Sequence, residues 1–228
     1  MTEHQPSVHC HDFAGQPVVV IDNAHPDPTS LLKTARGAGF ARDPGNYYPG
    51  LRAPADEHYQ AFLKHCIRQK AMGYLTKNNA DIDLQACLFS LACTPETDLR
   101  PIQCIPHIDS PEPSQLAVVH YLCDKPFGGT SFYQHTTTAL TAIDRDVMAD
   151  FFAQVKREMV SAGQRALCYT NGSNEWFERI GQVPARFNRL VVYRGQCLHA
   201  GDLAPDRLSS DPTQGRMTVN SFMQMISR

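Results

Sequence analysis

Short β-rich runs fill the chain from Leu84 onward, separated by clusters of Pro, Gly, Asn and Asp, and this pattern constrains the fold most. Many short runs bounded by turn residues are typical of a β-sandwich or a barrel. The runs are LQACLFSLAC, IQCIPHID, QLAVVHYLC, GTSFY, RLVVY, CLHAG and RMTVNSFMQMI. One helical pattern, at about residues 144–163, interrupts them. We therefore predict a β-rich core with a helical insertion.

The residues before Leu84 have a more helical pattern. The apolar run from Val18 to Ile21 predicts a strand, and a helix is expected after it, capped near Thr29 or Ser30. In DEHYQAFLKHCIRQKAMGYL the apolar residues recur at the spacing of an amphipathic helix. The first residues, MTEHQPSVHCHDF, are polar and predict a mobile terminus.

No internal repeat and no linker composition divides the chain, and its 228 residues suit one large domain. We predict a single domain spanning residues 1–228. Within it, residues 1–83 form a helical support region and residues 84–228 form the β-rich core. The expected fold class is α+β, mostly β.

Charge and cysteine usage narrow the possible partners and location. Lys and Arg number 21 against 23 Asp and Glu, a formal net charge of −2 with no long run of either sign. This balance predicts no nucleic-acid or membrane-surface partner, so a small substrate is expected, and it leaves the oligomeric state open. The eight cysteines include no CxxC pair, and the sequence shows neither a signal peptide nor a run of about eighteen apolar residues. We expect a cytoplasmic protein with reduced cysteines.

His107 and Asp109 lie two positions apart in PIQCIPHIDS, a stretch that resembles a strand. Residues at i and i+2 of an extended chain point to the same side, so the pair either holds a ligand or marks a solvated strand end. Two imidazoles and one carboxylate on one face would hold Fe(II) and leave positions open. Among the ten histidines, His199 is the best third ligand, because it follows a strand and a Gly turn.

Polar residues alternate with apolar ones in GRMTVNSF, where Arg216, Thr218 and Asn220 share one face. If that face points inward it implies a hydrophilic pocket, and if it points outward it is simply solvent-exposed. The sequence leaves both interpretations open. A buried dicarboxylate would suit the planar guanidinium of an arginine.

An ordered series of motifs resembles the Fe(II)- and 2-oxoglutarate-dependent dioxygenases, particularly their prolyl-4-hydroxylase-like branch. The motifs are HID, VVHYL, FGGTSFY, NRLVVYRGQCLHAG and GRMT, and the opening PVVVIDNAHPDPTSLLKTA is similar to that branch as well. The resemblance implies a double-stranded β-helix, or jelly roll. It also implies a hydroxylase that uses Fe(II), 2-oxoglutarate and O2.

The same resemblance assigns roles to individual residues. His107, Asp109 and His199 would bind iron. Arg216 would bind the distal carboxylate of 2-oxoglutarate, assisted by Thr218 and Tyr121. Two spacings are longer than is usual in the family, the one between Asp109 and His199 and the one between His199 and Arg216. Because the second spacing is long, Arg207, in the loop before Arg216, is a rival for the role of binding the cosubstrate carboxylate.

The substrate implied is an amino acid, a peptidyl side chain or a small metabolite. Two alternatives remain: a cupin-like metal enzyme that does not use 2-oxoglutarate, and a non-catalytic jelly-roll binding module. The cupin-like class has no need of a buried arginine at position 216. The turn NYYPG, residues 46–50, could form a substrate lid or simply pack its tyrosines onto the core.

Overall fold

Ten strands and four helices make up the chain in a computed structural model that describes residues 5–43, 45–77, 80–163 and 165–227. The strands are β1 (Ser7–Phe13), β2 (Gln16–Asp22), β3 (Gly50–Pro54), β4 (Ala80–Ala92), β5 (Gln115–Tyr121), β6 (Gly129–His135), β7 (Phe177–Pro184), β8 (Arg189–Arg194), β9 (His199–Asp202) and β10 (Arg216–Ser227). The helices are α1 (Pro28–Arg36), α2 (Glu57–Lys70), α3 (Met72–Leu75) and α4 (Arg145–Ser161). Among the described residues, no helix is both long and apolar enough to cross a membrane.

The strands form two antiparallel sheets. The large sheet has seven strands in the order β1-β2-β8-β5-β10-β4-β3, and the small sheet has three in the order β7-β6-β9. The described strands do not close into a barrel. The protein is therefore mostly β, as the short runs predict.

The two faces of the large sheet bury different residues. Its outer face packs its alternate apolar side chains, such as Val118, Met217 and Val219, against α1, α2 and α3. Its inner face faces the small sheet, and a second apolar cluster that includes Tyr121 and Tyr193 fills part of the space between them. Because strand side chains alternate, every central strand supplies both layers.

Local capping explains where the helices begin. The Asp56 carboxylate accepts a hydrogen bond from Tyr59 N at 2.9 Å at the start of α2, and Asp144 caps α4 in the same way. The cap of α1 was predicted near Thr29 or Ser30, and this is wrong by two to three residues. Asp27 is the cap, because its side chain accepts from Ser30 N and Pro28 suits the first helical position.

Three other expectations about secondary structure are corrected. The terminus predicted to be mobile forms β1 over Ser7–Phe13, paired with β2 through a tight turn, while residues 1–4 lie outside the described residues. The region at residues 1–83 is not only helical support, because β1, β2 and β3 join the large sheet and β4 begins there at Ala80. The stretch at residues 101–110 is not a strand, since Pro101–Cys104 form a 3-10 turn.

An ion pair joins the end of β2 to the start of β8. Arg189 donates to both oxygens of Asp22, at 2.7 and 2.9 Å, and Arg186 adds a third contact at 3.2 Å. These hydrogen bonds and charges lower the pKa of Asp22. A carboxyl whose pKa is lower in the folded chain stabilises the fold above its unfolded pKa, and this contribution disappears as the pH falls.

We expect Asp22→Asn to lower the free energy of unfolding at pH 7 by about 2 kcal/mol, below the roughly 3–5 kcal/mol of a deeply buried pair because solvent lies close to these strand ends. The wild type should lose more stability than the variant as the pH falls below about 4, the ordinary pKa of an aspartate in an unfolded chain. Urea unfolding at several pH values measures both. Asp206→Asn, in an exposed pair with Arg207, is the control and should change little. Equal pH profiles for wild type and Asp22→Asn would contradict this account.

Candidate metal centre

Backbone pairing brings the distant parts of the site together. His107 and His199 form an isolated antiparallel bridge, in which each backbone N–H donates to the other residue's carbonyl at 2.9 Å. Asp109 N donates to Gly195 O, in the turn between β8 and β9, at 2.8 Å. This turn thus places His199 beside the 107–109 segment despite the long stretch of chain between them.

The side chains of His107, Asp109 and His199 converge. One possible ligand atom from each residue lies within 4.8 Å of the others. Asp109 Oδ2 is 3.4 Å from His199 Nε2, and Asp109 Oδ1 is 3.9 Å from His107 Nε2. The two imidazole centroids are 4.4 Å apart. Such a cluster can surround a single ion.

The orientation of the His199 ring is fixed by its second nitrogen. Nδ1 lies 2.9 Å from the carbonyl oxygen of Cys197. Because a carbonyl can only accept, Nδ1 carries the proton and Nε2 is left with a free lone pair, directed toward Asp109. Histidine ligands of metals commonly donate their other N–H in this way. The edge-on ring of Tyr193, with centroids 4.8 Å apart, packs against the imidazole.

The site is enclosed on one side and open on the other. The side chain of His199 is 6% exposed and that of Asp109 14%, but half of the His107 side chain is accessible. Burial lowers the pKa of His199 to about 4, and for the half-accessible His107 partial loss of solvation and the neighbouring His199 lower the pKa in the same direction. Burial also raises the pKa of Asp109, which His107 and Arg52 oppose. Near neutral pH the imidazoles are therefore uncharged and able to bind a cation.

The donor set fits Fe(II). Two imidazoles and one carboxylate on one side of an ion hold it while leaving positions for other ligands, the arrangement of non-haem iron oxygenases. The open side at His107 provides the route by which those ligands could reach the ion. The three residues were predicted as the metal ligands, and the structure places them together.

Arg216, Thr218 and Tyr121 lie together on the inner face of the large sheet. Thr218 and Tyr121 are direct cross-strand partners on β10 and β5, and the Arg216 guanidinium carbon lies 5.5 Å from the centre of the Tyr121 ring. Arg216 is only 6% exposed and Thr218 is fully buried. The polar face of β10, which the sequence left open, thus points inward.

Arg216 has spare hydrogen-bonding capacity. Its Nη2 donates to Gly129 O at 3.0 Å, but its buried Nε has no partner among the described residues. Gly201 lies two residues beyond His199 on β9, and a Cβ there would lie 3.9 Å from Arg216 Nη2. The guanidinium therefore lies close to the strand that carries His199. Tyr121 is already engaged, because its hydroxyl is 2.6 Å from Thr130 Oγ1.

The rival Arg207 is on the surface. It lies in a 3-10 turn, its side chain is 55% exposed, and it contacts Asp206 at 3.4 Å. An arginine on the surface cannot hold a carboxylate that is enclosed between the sheets. Arg216 fits a buried carboxylate better.

Sequence reasoning missed Arg52, and it considered Tyr48 only as part of a turn that could close over the substrate or pack onto the core. Arg52 lies on β3 in the same cross-strand row as Ser90 and Thr218, and its guanidinium carbon is 4.3 Å from the centre of the Tyr48 ring. Tyr48 belongs to the NYYPG turn, considered above as a lid. The alternation in GLRAP could have indicated a strand, but the region was interpreted as helical support.

Other histidines serve the core. His120 is fully buried between the hydroxyl of Tyr59, at 2.9 Å, and Asn188 Oδ1, at 3.0 Å. His135 is also fully buried and bonds Glu158 on α4 at 2.8 Å. Neither residue belongs to the metal cluster.

Comparison with known proteins adds a family and a distant structural likeness. A family model described as "Family of unknown function (DUF6445)" matches residues 3–223. No curated protein matches the chain. Among solved structures, it is similar to an N-substituted L-amino acid dioxygenase from Burkholderia ambifaria AMMD, with a TM-score of 0.43, 12% identity, and coverage of 92% of this chain and 86% of that one. A likeness this weak has no bearing on the chemistry.

We expect His199→Ala and Asp109→Ala each to weaken Fe(II) binding by more than about 100-fold, beyond the 10- to 100-fold typical of losing an outer-shell partner. Anaerobic titration with Fe(II) measures the affinity, and circular dichroism checks the fold. His58→Ala, an exposed histidine on α2, is the control and should bind Fe(II) like the wild type. Unchanged affinity in both site variants would show that Fe(II) binds elsewhere. A wild type that binds no Fe(II) would show that this cluster does not hold the ion.

Proposed function

We propose that this chain, which belongs to the DUF6445 family, is an Fe(II)- and 2-oxoglutarate-dependent oxygenase that hydroxylates a C–H bond of a small-molecule or peptidyl substrate. The observation that carries the proposal is the joint placement of two kinds of group between the sheets. Ligand atoms of His107, Asp109 and His199 lie within 4.8 Å of one another, and the enclosed Arg216 lies near the strand that bears His199.

His107, Asp109 and His199 would hold the iron. Iron bound there would supply the activation of O2, with oxidative decarboxylation of 2-oxoglutarate to succinate and CO2 coupled to hydroxylation of the substrate. The Cys197 carbonyl keeps the His199 Nε2 lone pair available, and the rings of Tyr193 and Phe132 restrict water on the inner side. The protein thus positions and shields the reactants.

Arg216 would bind the distal carboxylate of 2-oxoglutarate. A guanidinium presents two parallel N–H groups to a carboxylate, and the unpartnered Nε of Arg216 leaves one such group available. The Thr218 hydroxyl on the same face of β10 donates to Asn220 Oδ1 at 2.8 Å, and it could turn to donate to the carboxylate instead. A cupin-like enzyme without this cosubstrate would have no use for an enclosed guanidinium here.

The finer class assignments are part of the proposal. Two facing antiparallel sheets with the site between them support a double-stranded β-helix. The order of the motifs supports the prolyl-4-hydroxylase-like branch. Asp109 supplies a carboxylate ligand and frees no coordination position for chloride, so we favour hydroxylation over halogenation.

The test is succinate formation from 2-oxoglutarate with Fe(II) and O2, screened over amino acids and peptides. We expect His199→Ala to abolish it, and Arg216→Met to raise the KM for 2-oxoglutarate by about 10- to 100-fold, since hydrogen bonds to charged groups contribute about 1.5–3 kcal/mol. The control is Arg207→Met, which removes the exposed rival and should leave the KM unchanged.

Two results would overturn the proposal. One is the absence of succinate above the iron-free background with every candidate. The other is a raised KM in Arg207→Met with a normal KM in Arg216→Met, which would place the cosubstrate away from Arg216.

A further inference from the structure

Part of the inner face of the large sheet is apolar and remains accessible. We call it the apolar floor and define it by Leu88 on β4, Val119 on β5 and Phe222 on β10, all half-buried. These three strands lie in the interior of the sheet. On its outer face their neighbours Phe89 and Val118 are only 1% exposed. Accessible apolar side chains on interior strands therefore line an open cavity between the sheets.

The strand register makes the apolar floor continuous. Val119 pairs with Asn220, which pairs in turn with Leu88, so the three follow one cross-strand row. Phe222 lies two positions after Asn220 on β10 and therefore on the same face. Paired residues of an antiparallel sheet have Cβ atoms about 5 Å apart, close enough for their side chains to form one surface.

The ring of Tyr193 joins the apolar floor to the metal centre. Its centroid lies 4.8 Å from that of the His199 imidazole. Tyr193 pairs with Ala117, and Ala117 pairs with Phe222, so these side chains follow one row across β8, β5 and β10. Two strand spacings, roughly 10 Å, separate Tyr193 from Phe222. A molecule of amino-acid size can reach from one to the other.

Backbone hydrogen bonds hold the carboxylate ligand at the same end of β5. Asp109 N donates to Gly195 O at 2.8 Å, and Gly195 N donates to Gln115 O at 2.9 Å. Gln115 precedes Ala117 by two positions and shares its face. The metal centre thus lies beside β8 and β5, and the apolar floor extends from there toward β10 and β4.

Small residues flank the largest side chain of the apolar floor. Phe222 pairs with Ala117 on one side and with Ala86 on the other, so its ring stands between two methyl groups. Directly after Phe222 the register shifts, because Met223 pairs with Leu84. Such β-bulges bend a strand and are common next to active sites. The space beside the Phe222 ring suits a bulky apolar group.

The apolar floor extends away from the groups proposed to bind the cosubstrate. In an extended strand Phe222 lies roughly 13 Å beyond Thr218 and roughly 20 Å beyond Arg216. The floor also contains no charged side chain that could hold a carboxylate. Leu88 packs against none of the buried apolar clusters in the described part of the chain. Covering these accessible apolar groups with another apolar group would release water and favour binding.

We propose that the apolar floor binds an apolar group of the substrate, so that the enzyme acts on an amino acid, acylated amino acid or peptide with an aliphatic or aromatic side chain. This inference rests on the proposed function and names the substrate class of the same site. With its apolar group against Phe222 and Leu88, the substrate would place neighbouring C–H bonds near the metal.

The test measures binding, so that it does not depend on turnover. The full chain is loaded with redox-inert Zn(II) and 2-oxoglutarate, and calorimetry compares apolar side chains with polar ones of similar shape. The pairs are L-valine with L-threonine, L-leucine with L-asparagine, and L-phenylalanine with 3-(4-pyridyl)-L-alanine, each free, N-acetylated and between two glycines. We expect at least one apolar compound to bind about tenfold or more tightly than its polar partner.

Two variants remove the apolar floor at separate points. Phe222→Ala and Leu88→Asn should each remove most of the preference for apolar side chains, and they should keep the affinities for Zn(II) and 2-oxoglutarate within about threefold of wild type. Phe222→Leu, which retains an apolar side chain, should keep part of the preference and guards against misfolding of the alanine variant. The matched control is Phe152→Ala, because Phe152 is 42% exposed on α4, and it should keep the full preference.

The inference is overturned if no apolar compound binds more tightly than its polar partner, or if the preference survives in both Phe222→Ala and Leu88→Asn. Loss of the preference in Phe152→Ala would also overturn it. If the floor variants weaken 2-oxoglutarate as much as Arg216→Met does, the floor belongs to the cosubstrate site and the inference is wrong. Failure of the Zn(II)-loaded wild type to bind 2-oxoglutarate would count against the proposed function instead, and an apolar preference that depends on Phe222 would still stand.

Discussion

The paired backbone hydrogen bonds between His107 and His199, both 2.9 Å long, are the constraint on which the rest of the site depends. They fix two imidazoles side by side, and the bond from Asp109 N to Gly195 O adds the carboxylate. Backbone bonds of this kind require no cofactor, so the side chains are positioned before any ion binds. Preorganised ligands of this kind avoid the ordering cost that a flexible set would incur on binding.

The second feature of the design is a sheet whose central strand serves two environments. Met217 and Val219 of β10 pack against the helices, while Arg216 and Thr218 enter the space between the sheets. The apolar layer supplies the stability that compensates for burying polar groups on the other face. Nine buried side-chain atoms of the described residues have no hydrogen-bond partner, and among them the Nε atoms of Arg216 and of the half-buried Arg52 belong to cations.

Much of this arrangement could be predicted from local patterns. The short β-rich runs and the helix at Arg145–Ser161 were predicted, because alternation and amphipathic spacing reflect which face of an element is buried. The strand β1 was missed, because its residues are polar and exposed on an edge, where no apolar pattern is required. The prediction of a strand at residues 101–110 was wrong. A strand needs a continuous partner strand, and only His107 of this stretch forms a bridge, to His199.

The sequence by itself determined the chemistry that is possible: an imidazole and a carboxylate two positions apart, a later histidine after a Gly turn, and an arginine on an alternating strand. These follow from residue types and short-range spacing. Only the tertiary structure decided that the polar face of β10 points inward and that Arg216 rather than Arg207 is enclosed. The reason is physical, since register between strands distant in sequence is set by how the whole sheet buries its apolar faces, and no local pattern encodes it.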